Sequence, residues 1–106
     1  KNYITNKYGY DLSKSIDEIR PEYNKFYTSC KNSVPQAIIC ALDANSYEDA
    51  IRNAVSLGGD SDTLACMAGG IAEARFGVPE ELQNQAKKFM DNNVTNMIKA
   101  FYQKIY

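Results

Sequence analysis

Histidine and tryptophan are absent from this chain of 106 residues. Without an imidazole, no Ser–His or Cys–His pair and no histidine-based zinc site can come from it. Cysteine is scarce too. Cys30, Cys40 and Cys66 are odd in number and widely spaced, so they build neither a CxxC motif nor a disulfide framework. Cys40, in Ile38-Ile39-Cys40-Ala41-Leu42, and Cys66, in Leu64-Ala65-Cys66-Met67-Ala68, are expected to be small buried thiols, free in a reducing cytoplasm. No run of about 18 apolar residues is present, so no helix is predicted to span a membrane. No basic, apolar leader pattern opens the chain.

What is present describes a globular chain with 44% hydrophobic and 24% charged residues and a net charge of −1. The length suits one domain with a modest core. Lys1 stands where a start methionine would, which suggests residues taken from something longer. Charge is uneven. Residues 34–78 set Arg52 and Arg75 against Asp43, Glu48, Asp49, Asp60, Asp62 and Glu73, a net −4. An acidic middle attracts cations and argues against nucleic-acid binding.

From residue 33 the pattern predicts helices with short joints. Ser33-Val34-Pro35 opens the first, with Ser33 as N-cap, and Asn45 closes it. Ser46 caps the second, with Glu48 and Asp49 facing the positive end of the dipole. Its expected buried stripe is Tyr47, Ala50, Ile51, Ala54 and Val55, and Gly58-Gly59 ends it. The third runs from about Asp60 to Phe76, is crowded with Ala, Gly and Cys, and reads as the central helix of an all-α bundle. Pro79 starts a fourth, with Leu82, Ala86, Phe89 and Met90 on its apolar face. A last amphipathic helix carries Val94, Met97, Ile98, Phe101, Tyr102 and Ile105 on one stripe. Residues 1–32 are rich in aromatics (Tyr3, Tyr8, Tyr10, Tyr23, Phe26, Tyr27), with one short helix predicted from Ser13 to Ile19, stopped by Pro21.

The stretch that carries chemistry is Leu57-Gly58-Gly59-Asp60-Ser61-Asp62-Thr63-Leu64. Two carboxylates and a hydroxyl on a glycine turn can converge on one point, and an all-oxygen set suits a hard cation such as Mg²⁺, Mn²⁺ or Ca²⁺. A plainer reading stays open: Asp60 or Ser61 is an N-cap and Asp62 a first-turn acid. A calcium EF-hand loop is excluded by Leu64 and Ala65. A phosphatase-type Asp-x-Asp needs a preceding strand, and residues 47–57 read as helix.

Gly58-Gly59-Asp60-Ser61-Asp62-Thr63, followed by Ala68-Gly69-Gly70-Ile71-Ala72-Glu73-Ala74-Arg75-Phe76-Gly77, resembles the C-terminal signature of the ADP-ribosylglycohydrolase family. Ser33-Val34-Pro35-Gln36-Ala37-Ile38 resembles the family's helix that begins at a Val-Pro step. The resemblance implies an all-α fold, of which residues 1–106 would be a single C-terminal segment, with a Mg²⁺ site at the base of a cleft (Mn²⁺ also suits it). It implies Asp60, Asp62 and Thr63 as metal ligands, and Ser33, Gly59 and Ser61 as residues lining the substrate. The implied reaction is hydrolysis of the glycosidic bond of ADP-ribosylated protein side chains or ADP-ribose derivatives. The departures are informative. The family's second acidic cluster and its catalytic acid lie in the N-terminal part of a longer chain, and no second Asp-Asp pair or evident base occurs here. Arg75 stands where many relatives carry an aromatic residue. A non-catalytic role on the same scaffold, as in the family's lens-crystallin branch, is the alternative. Cut from a partner segment, the small-residue helix is expected to expose apolar surface and to favour self-association or pairing with an N-terminal segment.

Overall fold

Local sequence places the helices and their ends. The computed structural model describes residues 1–106 except Asn24, Phe26 and Tyr106, so the expectation for Phe26 lies outside the described residues. Its helices are α1 (Asn2–Tyr8), α2 (Ile16–Ile19), α3 (Val34–Leu42), α4 (Tyr47–Leu57), α5 (Ser61–Phe76), α6 (Glu80–Lys87) and α7 (Asn92–Ile105), with a 3₁₀ turn at Cys30–Asn32 before α3. There is no strand among the described residues, as the all-α expectation requires.

Ser46 caps α4 as predicted, its hydroxyl accepting from the Asp49 N–H at 3.0 Å. Gly58 ends α4 at φ 74° and Gly77 ends α5 at φ 72°, values only glycine adopts with ease. Ser33 departs from expectation. It precedes α3, but its hydroxyl donates back to the Ser29 carbonyl at 2.7 Å and caps nothing. α3 also ends earlier than Asn45, at Leu42, with the Asp43 N–H bonded to the Ile39 carbonyl. The short helix predicted from Ser13 begins only at Ile16. The Asp11 carboxylate accepts from both the N–H and the hydroxyl of Ser13, holding that residue in a turn, and Ser15 takes over as N-cap. The residue pattern does not predict α1, and none of its residues is buried.

The bundle is α3, α4 and α5, with α2 laid against α3. Its interior is made largely of small side chains: Ala37, Cys40 and Ala41 from α3, Ala50 and Ala54 from α4, Leu64, Ala68 and Ala72 from α5. Gly69 explains itself here. A Cβ added to it would stand 3.1 Å from Ile51 Cδ1 and 3.2 Å from Tyr47 Oη, so the missing methyl is what lets α4 approach. Gly70 faces open space, on the outer side of α5 with Thr63, Cys66 and Ala74, all exposed. Val55 is another correction, 55% exposed, because the buried stripe of α4 runs through Ala50, Ala54 and Leu57 and Val55 lies off it.

Several polar ties fix the bundle. The Asp43 carboxylate accepts from the Ile16 N–H at 2.9 Å, Arg20 Nε donates to Ser56 Oγ at 3.0 Å, and Asn53 Nδ2 donates to the Cys40 carbonyl at 3.2 Å. Arg75 Nη1 reaches the carbonyls of Ala41, Leu42 and Ala44 at 3.0, 2.9 and 3.1 Å. The C-terminal ends of α3 and α5 therefore meet, the two helices run in the same direction, and their N-terminal ends share one end of the bundle. Tyr23, buried, donates its hydroxyl to the Asn32 carbonyl at 2.7 Å and stacks obliquely on Tyr27. Tyr3 and Tyr8 are exposed rather than packed in a core.

α6 and α7 bury no residue. The stripe predicted on α7 exists, but it stays bare: Met97 is 72% and Phe101 59% exposed, and Phe89, predicted for the apolar face of α6, lies beyond its end at 91%. Apolar surface is thus concentrated on α7 rather than on the small-residue helix α5, whose inner face is covered. Cys66 is exposed with Cys30, against the expectation of a buried thiol, because α5 turns that position outward. Cys40 is fully buried, and burial pushes its thiol up to about 12.

This packing has measurable outcomes. Gly70→Ala should raise unfolding stability by about 0.5–1 kcal/mol through helix propensity. Gly69→Val should lower it by about 1–3 kcal/mol through overpacking against Ile51 and Tyr47; denaturant titration of both variants checks the pair. In addition, a thiol-alkylating reagent at pH 8 should modify Cys30 and Cys66 in the folded chain and reach Cys40 only after denaturation, as read by mass spectrometry.

Candidate functional site

Gly58 and Gly59, both at positive φ, fold the chain from α4 directly into α5, and Asp60, Ser61, Asp62 and Thr63 form the first turn that results. Asp60 occupies the N-cap position, yet its side chain makes no capping hydrogen bond. A simple capping role therefore does not account for its carboxylate. Asp62 Oδ1 accepts from the Thr63 N–H at 2.9 Å. A hydrogen bond with the Asp60 side chain, seconded by that N–H, holds the Asp62 carboxyl below the usual carboxylate range. Two carboxyl groups this close relieve their mutual repulsion by sharing a proton or by holding a cation between them. Asp62 and Thr63 are exposed and Asp60 half-buried, so the turn is open to ligand.

Ser33 lies at the start of α3, at the same end of the bundle as this turn. It is buried, and its hydroxyl is committed to Ser29. Gly59 is exposed and Ser61 half-buried beside Asp60. Tyr23 links the two regions. Its hydroxyl touches Asn32, next to Ser33, and its phenol is raised first by burial, then by Tyr27 and by the charge of Asp60. A small cavity of about 250 Å³ opens beside it, lined by Asp11, Lys14, Glu22, Tyr23, Asn32 and Gln36 among others. Gln36 Oε1 is buried there without a hydrogen-bond partner. Sequence reasoning misses Gln36. The available signal is an amide set between Pro35 and Ala37 on a helix otherwise apolar inward.

A much larger cavity, about 910 Å³, lies elsewhere, between α4 and α5 on one side and α6 and α7 on the other. None of the residues expected to bind metal or substrate lines it. It is walled by Tyr47, Ile51, Leu82, Met90 and Ile98, and Glu73 in its wall accepts from the Tyr102 hydroxyl. Its size reflects how far α7 stands from the bundle. The chemistry-bearing side chains are at the acidic turn.

Oxygen donors from two carboxylates and one hydroxyl suit a hard divalent cation and nothing softer. Three such donors fall short of the six or more oxygens that such a cation takes. Among the described residues no three His, Cys, Asp or Glu side chains gather as a metal set, and no further carboxylate joins the turn.

The model of the ADP-ribosylglycohydrolase family matches residues 7–106. The ADP-ribosylhydrolase ARH3 of Mus musculus is 40% identical over 76 residues, covering 58% of this chain and 20% of that protein. ARH3 of Danio rerio is 38% identical over 77 residues, 62% of this chain and 20% of the relative, and ARH3 of Homo sapiens 37% over 76 residues, 58% and 21%. The matched region thus spans about a fifth of the length of these relatives. No solved structure matches the chain. With a family match that takes in the acidic turn, the Val-Pro helix and all that lies between them, this chain belongs to the ADP-ribosylglycohydrolase family.

Proposed function

We propose that this chain contributes one side of the active site of an ADP-ribosyl hydrolase, and that residues 1–106 form a C-terminal segment of a longer catalytic domain. The observation that carries the reading is the turn itself: Asp60 stands at the N-cap of α5 without capping duty, with Asp62 and Thr63 exposed beside it. Asp60, Asp62 and Thr63 would hold a divalent cation, Mg²⁺ or Mn²⁺. Bound there, it would supply positive charge against the charge that develops when the glycosidic bond at the anomeric carbon breaks.

The chain's own residues have definable parts in this. Asp60 and Asp62 gather carboxylate oxygens at the end of the bundle, and the glycines keep the approach to them clear of side chains. Ser61 and Gly59 flank them. Ser33, with its hydroxyl bound to Ser29, would shape the wall at the start of α3 rather than donate to a ligand. The substrate class is an ADP-ribosylated side chain or an ADP-ribose derivative. The general base and the remaining ligands would come from outside these residues. Exposed free thiols at Cys30 and Cys66 fit a reducing, cytoplasmic setting.

Mn²⁺ titration of the chain, followed by electron paramagnetic resonance, tests the reading. The expected result is binding that Asp60→Asn and Asp62→Asn each weaken by about tenfold or more, as loss of one charged ligand requires, while Glu80→Gln leaves it unchanged. Absence of binding to the folded wild-type chain, or equal affinity in the Asp62→Asn variant, would overturn it.

A further inference from the structure

We infer that Arg75 is a positioning residue that sets how far α3 lies along α5, and thereby where the start of α3 stands relative to the acidic turn. Its significance for function rests on the proposed role of that turn, but its geometry does not.

The need arises from the composition of the interface. α3 and α5 run in the same direction, and most of the buried residues they bring to the core are small, Ala37, Cys40 and Ala41 on α3 and Ala68, Gly69 and Ala72 on α5, with Ile39 and Leu64 the large exceptions. Helix surfaces interlock when the side chains of one form ridges that fill grooves of the other. Alanine forms low ridges, so an axial slip meets little steric resistance. Burial holds such helices together without saying where along each other they should stop.

A directional contact supplies what packing leaves undetermined. The last carbonyls of a helix lack partners within it, and α3 has no basic residue in its own last turn. Arg75, near the far end of α5, reaches two of those carbonyls, on Ala41 and Leu42, and the carbonyl of Ala44 just beyond. Hydrogen bonds near 2.9 Å tolerate only a small displacement before they fail. The guanidinium carbon also sits 4.7 Å from the centre of the Phe76 ring, which steadies the planar group. The other ties do not duplicate this one. Asn53 fixes α4 to α3, Asp43 fixes α2 to α3, and Arg20 fixes α2 to α4. Glu73 bonds outward to Tyr102 on α7. Among the described residues, the side-chain hydrogen bonds from α5 into the bundle are those of Arg75.

Two rigid, parallel helices pinned at one end are positioned at the other. Ser33 and the Asn32–Tyr23 contact stand at the free end of α3, and Asp60–Thr63 at the free end of α5. An arginine therefore acts on the site from the opposite end of the bundle, through the alignment of two helices.

The native exposed thiols report on this directly, since Cys30 opens the turn that leads into α3 and Cys66 lies in α5. Nitroxide labels on both, measured by double electron–electron resonance, should give one narrow distance distribution in the wild type. In Arg75→Met the mean is expected to move by about 1.5 Å, one residue of helix rise, or the width to roughly double, with helical circular dichroism retained. Arg75→Gln, whose amide ends short of the Nη1 position that makes all three contacts, should show the same change. Arg52→Met, which removes an exposed arginine paired with Glu48 on its own helix, should leave the distribution unchanged. A folded Arg75→Met whose distribution superimposes on the wild type, with only a lowered melting temperature, would reduce Arg75 to a stabilising role and overturn the inference. If that variant does not fold, a superimposable Arg75→Gln overturns it equally. The measurement needs no metal, so failure of Mn²⁺ binding would count against the proposed function and leave this comparison standing.

Discussion

Close approach of three helices is the constraint on which the rest of this structure depends. Ala50 and Ala54 on α4, Ala68, Gly69 and Ala72 on α5, and Ala37 and Ala41 on α3 bring the backbones together by having almost nothing between them. Large side chains enter the interior through Ile39 on α3, through Leu12, Ile16, Ile19 and Tyr23 from the N-terminal segments, and through Leu57 and Leu64 at the end near the acidic turn. Tight helices leave room for only a short connection between α4 and α5. That connection is the glycine pair, and it delivers two carboxylates to one place.

The closeness has two further effects. Interfaces built of small residues are permissive along the helix axis, so alignment falls to hydrogen bonds: Asn53 for α4, Asp43 for α2, Arg75 for α5. The tight bundle is also narrow, and α6 and α7 find little of it to pack against. Their apolar stripe stays in solvent, and a cavity of about 910 Å³ opens behind it.

Much of this could be read from the residues. The helix starts at Ser46 and at the Asp60 turn, and the stops at Gly58 and Gly77, come from capping chemistry that is local and therefore visible in a short window. The central role of α5 is visible in its composition. What stays hidden depends on contacts between distant segments. Val55 borders the apolar stripe of α4, and only the neighbours of that helix decide that its buried line runs through Ala50, Ala54 and Leu57 instead. Cys66 has the same local surroundings as a buried thiol and differs only in which face of α5 is covered. The hydroxyl of Ser33 serves Ser29, four residues back, where the pattern alone suggests a cap for α3. Arg75 finds its partners more than thirty residues upstream, on carbonyls that no sequence motif marks. At the candidate site, the acids and the hydroxyl are evident; the orphaned oxygen of Gln36 belongs to a residue lining a separate cavity, which no residue of the acidic turn lines.

The glycine turn also bears on how such a site can change over generations. Gly58 sits at φ 74°, ψ −153°, a region closed to residues with a side chain, and Gly59 comes next at φ 61°. A single substitution at Gly58 forces the backbone elsewhere, and the two carboxylates then move together relative to α4. Gradual repositioning of the pair through that residue is closed off. Change near this turn proceeds either by exchanging the acids themselves or by abandoning the arrangement in one step, so descendants of the chain should divide into those with the whole turn and those with none of it.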